Sequence, residues 1–550
     1  MGVKTVEAAQ KVYGPYSIWS LYIGLALASY MYSLDGSTTS YYLTFATSEF
    51  SEHALISSVQ VAQGIIVAVG KPVIAKVADV TSRATAYITV LVFYVVGYII
   101  IASAQSVGSI AAGIIIYAVG YTGLQLLTQI IIADITSLKW RGLISSLTSS
   151  PFIVNAFVGA NVAGAVLERA GWRWGYGMFA ILVPISLAPL ITTLTWAEHR
   201  AKILGKIPPP PPSSEPLGLG LGSSRIRGSV SRSRRDGSLR APSPNARQPR
   251  SRSRSTLRST TSNLTLKSPL YPSSPLRTLL HKIWITAEKL DIVGLVLLGA
   301  GIACVLLPLT LSNNSNSNSR RGWGNPSLIG MLIAGIVTLV VFAIYELRVA
   351  KRPVVAPRFW GNWAVLGAGV IGFFDFMSFY LSYTYLYSFI IVTKDWSLVD
   401  DIYFSNVQTV ALTVFGILGG LLMRTTHRYK PILIAGLCIR TLGVGIMIHS
   451  RGAGGSTPEL ILTQILQGLG GGFAAVTSQV GAQASVVHGD VAMCTALVLL
   501  MTEIGGSVGS AVCTSPFLIQ FIFFPSDCLS PSHPSFLCLF PSSFSGSLAL

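Results

Sequence analysis

Runs of about 20 apolar residues recur along this chain, and they constrain it more than any other feature. A helix rises 1.5 Å per residue, so about 20 residues cross a hydrocarbon core roughly 30 Å thick. Inside lipid every backbone N–H and C=O must find its partner within the protein, so such runs are helices. Composition agrees. Of 550 residues, 51% are hydrophobic and only 11% are charged, whereas a soluble domain carries about 25% charged residues. The fold class is therefore all-α, a polytopic membrane protein. Windows of about 19 residues place spans over residues 17–44, 55–77, 86–104, 108–132, 144–167 and 176–196. After a long break they resume at 292–311, 327–345, 364–392, 403–423, 431–449, 459–480 and 491–512, about 13 in all.

The net charge of +18 is concentrated in that break. Residues 200–289 hold 18 basic and 3 acidic side chains, which leaves the rest of the chain close to neutral. The segment opens with Pro208–Pro212 and continues through Ser231-Arg-Ser-Arg-Arg235 and Ser251-Arg-Ser-Arg-Ser255. It cannot bury a core and reads as a disordered cytoplasmic linker drawn to anionic headgroups. A nucleic-acid partner is not expected. Basic clusters at Lys71/Lys76/Arg83, Lys139/Arg141, the linker, Arg348/Lys351/Arg352 and Arg424/Arg428/Lys430 alternate with less basic loops. With a cytoplasmic N-terminus all five fall on the cytoplasmic side, which makes that side the basic end of the molecule.

The six cysteines form no C-x-x-C and no metal-ligand spacing, so no metal site or cofactor is expected. Gly468–Gly472 lacks the lysine of a phosphate loop and reads as close helix packing. No Ser/His/Asp set can be assembled at a common depth, which argues against an enzyme.

Three motifs occur in order. Gly70-Lys-Pro-Val-Ile-Ala-Lys-Val-Ala-Asp79-Val-Thr-Ser-Arg83 sets a glycine, a carboxylate and a basic residue four positions on between the second and third spans. Ala133-Asp134-Ile-Thr-Ser-Leu-Lys-Trp-Arg141-Gly142 follows the fourth span, and Gly171-Trp-Arg-Trp174 precedes the sixth. Together they resemble the signatures of the major facilitator superfamily, although Lys76 and Ser82 stand where that family usually has glycine. Gly416-Ile-Leu-Gly-Gly-Leu-Leu-Met-Arg424-Thr-Thr-His-Arg428-Tyr-Lys430 resembles a degenerate second copy of the first motif, as parallel repeats would give. The resemblance implies two six-helix bundles, an inserted helix pair, and a gate at the basic end made by Gly70, Asp79, Arg83, Asp134, Arg141, Gly142, Arg424 and Arg428.

Within the fourteen-helix branch the chain resembles fungal siderophore–iron transporters. The resemblance rests on Tyr32-Ser-Leu-Asp35-Gly-Ser-Thr-Thr39, Leu290-Asp-Ile-Val-Gly294, Leu306-Leu-Pro-Leu-Thr-Leu311, Gln464-Ile-Leu-Gln-Gly-Leu-Gly-Gly-Gly-Phe473, Gln483-Ala-Ser-Val-Val-His488 and Thr502-Glu-Ile-Gly-Gly506. It implies proton-driven import of a ferric siderophore across the plasma membrane by a monomer, the iron entering only as part of its chelate. Other readings stay open: a drug or toxin antiporter of the same architecture, a transport-inactive receptor, and an endosomal or vacuolar location.

An ionisable residue in mid-span is a functional candidate by default. Asp35, Asp375 and Glu503 are the candidates for carrying a proton. For Asp35 the competing reading is a carboxylate bonded to Ser33, Ser37 and Thr38 that only shapes its helix. Tyr30, Tyr32, Phe376, Tyr380 and Tyr383 offer flat faces and hydroxyls to a large ligand, and tyrosines near span ends also form interfacial belts. The expected organisation is a cytoplasmic N-terminus (1–16), a first six-helix bundle (17–197), the linker (198–289), the inserted pair (290–348), an incomplete second bundle (349–512) and a tail (513–550). From Pro525 to Leu550, 12 of 26 residues are Ser or Pro. A fourteenth span is not visible there, which predicts an unstable or inactive chain.

Overall fold

The computed structural model describes residues 12–49, 56–204, 291–311, 325–350, 353, 357–384, 386–394, 396, 398–451 and 456–514. The predicted linker beyond residue 204 and the tail beyond residue 514 lie outside the described residues. So does the sequence on which the missing-span reading depends.

Fifteen α-helices follow one another among the described residues. The first half comprises α1 (Pro15–Glu49), α2 (Ile56–Val80), α3 (Arg83–Ala102), α4 (Val107–Ile135), α5 (Leu138–Leu147) and α6 (Pro151–Ile203). An apolar pair follows, α7 (Ile292–Leu311) and α8 (Pro326–Arg348). The second half comprises α9 (Pro357–Trp360), α10 (Trp363–Tyr383), α11 (Leu386–Thr393), α12 (Leu398–Thr426), α13 (Lys430–Ser450), α14 (Thr457–Ala484) and α15 (Val491–Thr514). Among the described residues, eleven helical segments are long and apolar enough to cross a membrane. α1 and α2 also have crossing length, at 35 and 25 residues.

Polar residues fix where these helices start. Ser82 caps α3 by accepting from the Thr85 N–H, and Ser106 with Ser109 forms a capping box on α4. Each satisfies orphan N–H groups that have no carbonyl partner. One boundary of the sequence reading holds and two differ. α6 joins two helices across a kink at Gly171, whose φ of 76° is open to glycine, so the fifth and sixth spans part there as expected. A further break falls inside the expected fifth span, between α5 and α6, where Pro151 has no N–H to continue the ladder. The run 364–392 is not one span. It ends at Tyr383 with Thr384 as its cap, and α11 is a separate short helix.

In the first half α1 packs on α6, α3 on α4 and α6, and α2 on α4. In the second half α12 and α13 pack on α14, and α10 packs on α15. The halves meet along two seams, α2 against α15 and α5–α6 against α12. α7 packs on α2, α8 and α15. In α8 only Gly335 and Glu346 are buried, so its apolar residues face outward, as a helix solvated by lipid does.

The backbones of α3 and α4 come into direct contact. A Cβ at Gly120 would sit 2.5 Å from the Tyr94 nitrogen, and one at Gly97 would sit 2.5 Å from the Tyr117 nitrogen. Only glycine lets these backbones approach so closely. Gly120→Val is expected to destabilise the protein by about 1–3 kcal/mol or more, since the clash is with backbone. A thermal melt of the detergent-solubilised protein checks this, and an unchanged melting curve would refute it.

Candidate functional site

Asp35 sits in α1 with a fully buried side chain. Four hydroxyls converge on its carboxylate. Tyr94 and Tyr117 each donate to Oδ2 at 2.5 Å. Thr39 donates to Oδ1 at 2.6 Å, and Tyr98 donates to the same oxygen. Among the described residues its hydrogen-bond partners are all hydroxyls. The helix-shaping alternative is corrected in its partners. Ser37 and Thr38 donate to the backbone carbonyls of Ser33 and Leu34 instead. The tyrosines arrive because α3 places Tyr94 and Tyr98 one turn apart, and α4 is pressed against it at Gly97 and Gly120.

Rings continue from this cage toward a polar cavity. Tyr117 lies 5.6 Å from Tyr121, and Tyr121 stacks on Tyr32 at 4.7 Å. Tyr32 lines a cavity of about 170 Å³ together with Ser29, Gln125, Thr128, Gln129 and Ser149. These walls come from α1, α4 and the break between α5 and α6. They offer hydroxyl and amide groups, which donate and accept without carrying charge. A larger cavity, about 710 Å³, lies between Phe157 and the starts of α12 and α14; its walls are chiefly Val407, Val410, Val414, Phe415 and Ile461. None of the predicted site residues borders it.

The other two candidate carboxylates are paired with cations. Asp375 of α10 lies 2.9 Å from Arg440 Nη1 of α13, and Arg440 Nη2 donates to the Asp375 carbonyl at 2.5 Å. Both side chains are buried. Arg440 runs over Gly470 of α14, where a Cβ would meet its own Cβ at 2.5 Å. Glu503 of α15 lies 2.9 Å from Lys71 Nζ. Lys71 also corrects the charge reading, because it is completely buried inside α2 rather than part of a loop cluster.

The structure does not gather the aromatic candidates in one place. Tyr380 lies against α15, where a Cβ at Gly506 would be 2.8 Å from its ring. Phe376 packs on Phe379, and Phe379 stacks on Tyr383 at 5.2 Å. Tyr383 in turn borders an apolar cluster of Leu386, Ile390, Phe404 and Leu460. Tyr30 is half-buried, its carbonyl accepting from Asn155 at 3.4 Å.

At the basic end Arg83 is buried between two carboxylates, with Nη1 2.9 Å from Asp79 and Nε 3.0 Å from Asp134. Arg141 folds back on its own loop and donates to the Ala133 carbonyl at 2.7 Å. Gly142 is where α5 meets α12: a Cβ at Gly420 would lie 2.8 Å from the Gly142 carbonyl oxygen. Arg424 stacks on Trp140 with its guanidinium carbon 3.4 Å from the ring centre, a cation–π contact across the seam. Arg428 is exposed in the turn after α12. Gly70 is not in a tight turn but inside α2, where a Cβ would make ordinary contact with Thr122 at 3.5 Å.

Sequence reasoning missed Tyr94, Tyr98, Tyr117, Lys71 and Arg440. The tyrosines had a signal: 94/98 and 117/121 are each paired one helical turn apart within an apolar span.

Two helical bundles meet on two seams, with a buried ion-paired cluster at one end and a small polar cavity within the first half. The sequence pattern of the Major Facilitator Superfamily matches residues 25–411. The chain belongs to that superfamily of membrane transporters and is not an enzyme. More narrowly, it is closely related to fungal siderophore iron transporters. It is 35% identical over 518 residues to the siderophore transporter fer7 of Mycosarcoma maydis, across 93% of this chain and 71% of that protein. It is 32% identical to the MFS siderochrome iron transporter C of Aspergillus fumigatus, across 93% and 73%. It is also 32% identical to the low affinity heme transporter str3 of Schizosaccharomyces pombe, across 94% and 73%. Among solved structures, a peptide transporter POT variant bound to alafosfalin shares the fold with a TM-score of 0.55 at 12% identity, covering 93% of this chain and 92% of that one. The human organic anion transporter MFSD10 does so with a TM-score of 0.52 at 11% identity, covering 92% and 95%.

Proposed function

We propose that this protein imports ferric siderophores across the plasma membrane together with protons, as a monomer with a cytoplasmic N-terminus. The names of its relatives support the cargo. The observation that carries the coupling is the contrast among the three carboxylates. Asp375 and Glu503 each face a cation at 2.9 Å, so a proton on either strands a buried positive charge. Asp35 faces only hydroxyls among the described residues. A hydroxyl can turn from donor to acceptor, so this carboxylate can gain a proton without stranding a charge. Tyr117, Tyr121 and Tyr32 link it to the polar cavity. Iron enters only inside its chelate, which is larger than this cavity of about 170 Å³, so its passage requires the halves to open further.

The test is uptake of radio-iron as a siderophore complex by cells that lack their own siderophore transporters. Uptake is expected, and an uncoupler is expected to abolish it. Uptake that survives collapse of the proton gradient would remove the coupling. Drug efflux without iron uptake would replace the cargo, and iron-dependent signalling without uptake would replace transport by a receptor role.

A further inference from the structure

The two seams between the halves are built differently. Along α5–α6 and α12 the contact is close and uncharged in its middle. Gly142 meets Gly420, and Asn406 donates to the Ala156 carbonyl at 3.0 Å. Along α2 and α15 a charge crosses from one half to the other. Lys71 of α2 lies 2.9 Å from Glu503 Oε1 of α15 and donates to Gln125 Oε1 of α4 at 2.7 Å. The lysine side chain is 0% exposed and the glutamate 22%. Among the described residues, the buried pairs of Arg83 with Asp79 and Asp134 and of Arg440 with Asp375 each stay within one half. Nine residues separate Lys71 from Val80 at the end of α2, about 14 Å of helix, too deep for the ammonium to reach headgroups.

Each of the two helices is fastened to its own half. α2 lies on α4 through Gly70 and Thr122, and α15 lies on α10 through Gly506 against Tyr380 and Gly509 against Met377. When the halves rock, these helices move with them, so the Lys71–Glu503 contact is the charged joint between two moving bodies. The seam is tight beside it: a Cβ at Gly64 would lie 3.0 Å from Ser507 Oγ.

We propose that Lys71 and Glu503 are a charge clasp across this seam, required as a mutually neutralising pair, with Glu503 not itself the proton carrier. A buried ion whose partner is removed draws water to itself. Lys71 is fully buried, so water reaches it by parting α2 from α15, and Glu503, 22% exposed at the same seam, pulls the opening wider when it is left alone; either way the halves are held out of register. Removing both charges takes away that strain.

The experiment compares Lys71→Met, Glu503→Gln and the double variant in the full chain, each with and without Gly64→Cys and Ser507→Cys as an oxidative crosslinking pair. Each single variant is expected to lose at least tenfold in uptake and severalfold in crosslinking yield. The double variant is expected to recover both to within about threefold of the parent. The charge-reversed pair Lys71→Glu with Glu503→Lys provides a second route if the neutral pair folds poorly, and is expected to exceed either single reversal. Crosslinking that is unchanged in the single variants would overturn the clasp. A double variant that crosslinks normally but transports no better than Glu503→Gln would overturn it too, by giving Glu503 a task of its own. The uptake arm rests on the proposed cargo, whereas the crosslinking arm does not. A wrong cargo therefore shows as silent uptake in the parent with the crosslinking pattern intact.

Discussion

Asp35→Asn is expected to lower proton-driven uptake by about 100-fold or more, equivalent to at least ~2.7 kcal/mol, while leaving the protein folded. The carboxylate accepts four hydroxyl bonds, two on each oxygen. Asparagine keeps one acceptor oxygen and presents an NH2 to the other pair. Those hydroxyls can rotate to accept, so the packing survives even though the proton site is gone. The coupled and uncoupled parts of transport should then separate. Uptake against a gradient fails, while exchange of labelled for unlabelled chelate across the membrane, which needs no net proton movement, continues. Asp35→Glu should retain part of the driven flux, because it keeps the titrating group at a longer reach. Tyr98→Phe should cost less than Asp35→Asn, since it deletes one of four donors and leaves the carboxylate in place. Driven uptake by Asp35→Asn at the parent's rate would remove Asp35 from the coupling mechanism.

The sequence shows the helices because burial in lipid is a one-dimensional property: a window of 19 residues contains all the information that decides insertion. It also shows the ion-paired cluster at the basic end, because Asp79 and Arg83 flank the tight turn between α2 and α3 and Asp134 ends α4 on the same side. What it hides is any partner that only tertiary packing supplies. Lys71 reads as one more positive charge near the end of a span, and its carboxylate lies 432 positions away. Arg440 is 65 positions from Asp375, and Gly470 reads as generic helix packing until the arginine is seen lying over it. The tyrosine cage was half visible. Asp35 is conspicuous in an apolar helix, but nothing local says that α3 and α4 touch at Gly97 and Gly120, which is what brings Tyr94, Tyr98 and Tyr117 to it. The aromatic run of α10 is equally conspicuous in sequence, and its Tyr380 and Tyr383 pack on α15 and the neighbouring apolar cluster.

Arg440→Met is expected to be the most damaging single change in the second half. Both side chains of the pair are at most 6% exposed, in a region where an isolated charge is costly. Breaking such a pair by removing one partner costs about 3–5 kcal/mol, because the remaining ion is uncompensated. Methionine fills much of the volume left between α10, α13 and α14, so the loss is electrostatic rather than a cavity effect. Asp375→Asn should be damaging for the mirror reason, leaving the guanidinium unpaired against Gly470 and Gly471. The double variant Arg440→Met with Asp375→Asn removes both charges and is expected to regain most of the stability, since replacing a buried pair outright is often close to neutral. Thermal melts of the three purified variants measure that coupling. Uptake then decides the role of Asp375. If the pair is structural, the double variant transports within about threefold of the parent, a difference of ~0.7 kcal/mol. If Asp375 carries the coupled proton, the double variant melts like the parent and still fails to drive uptake, and the assignment to Asp35 falls with it.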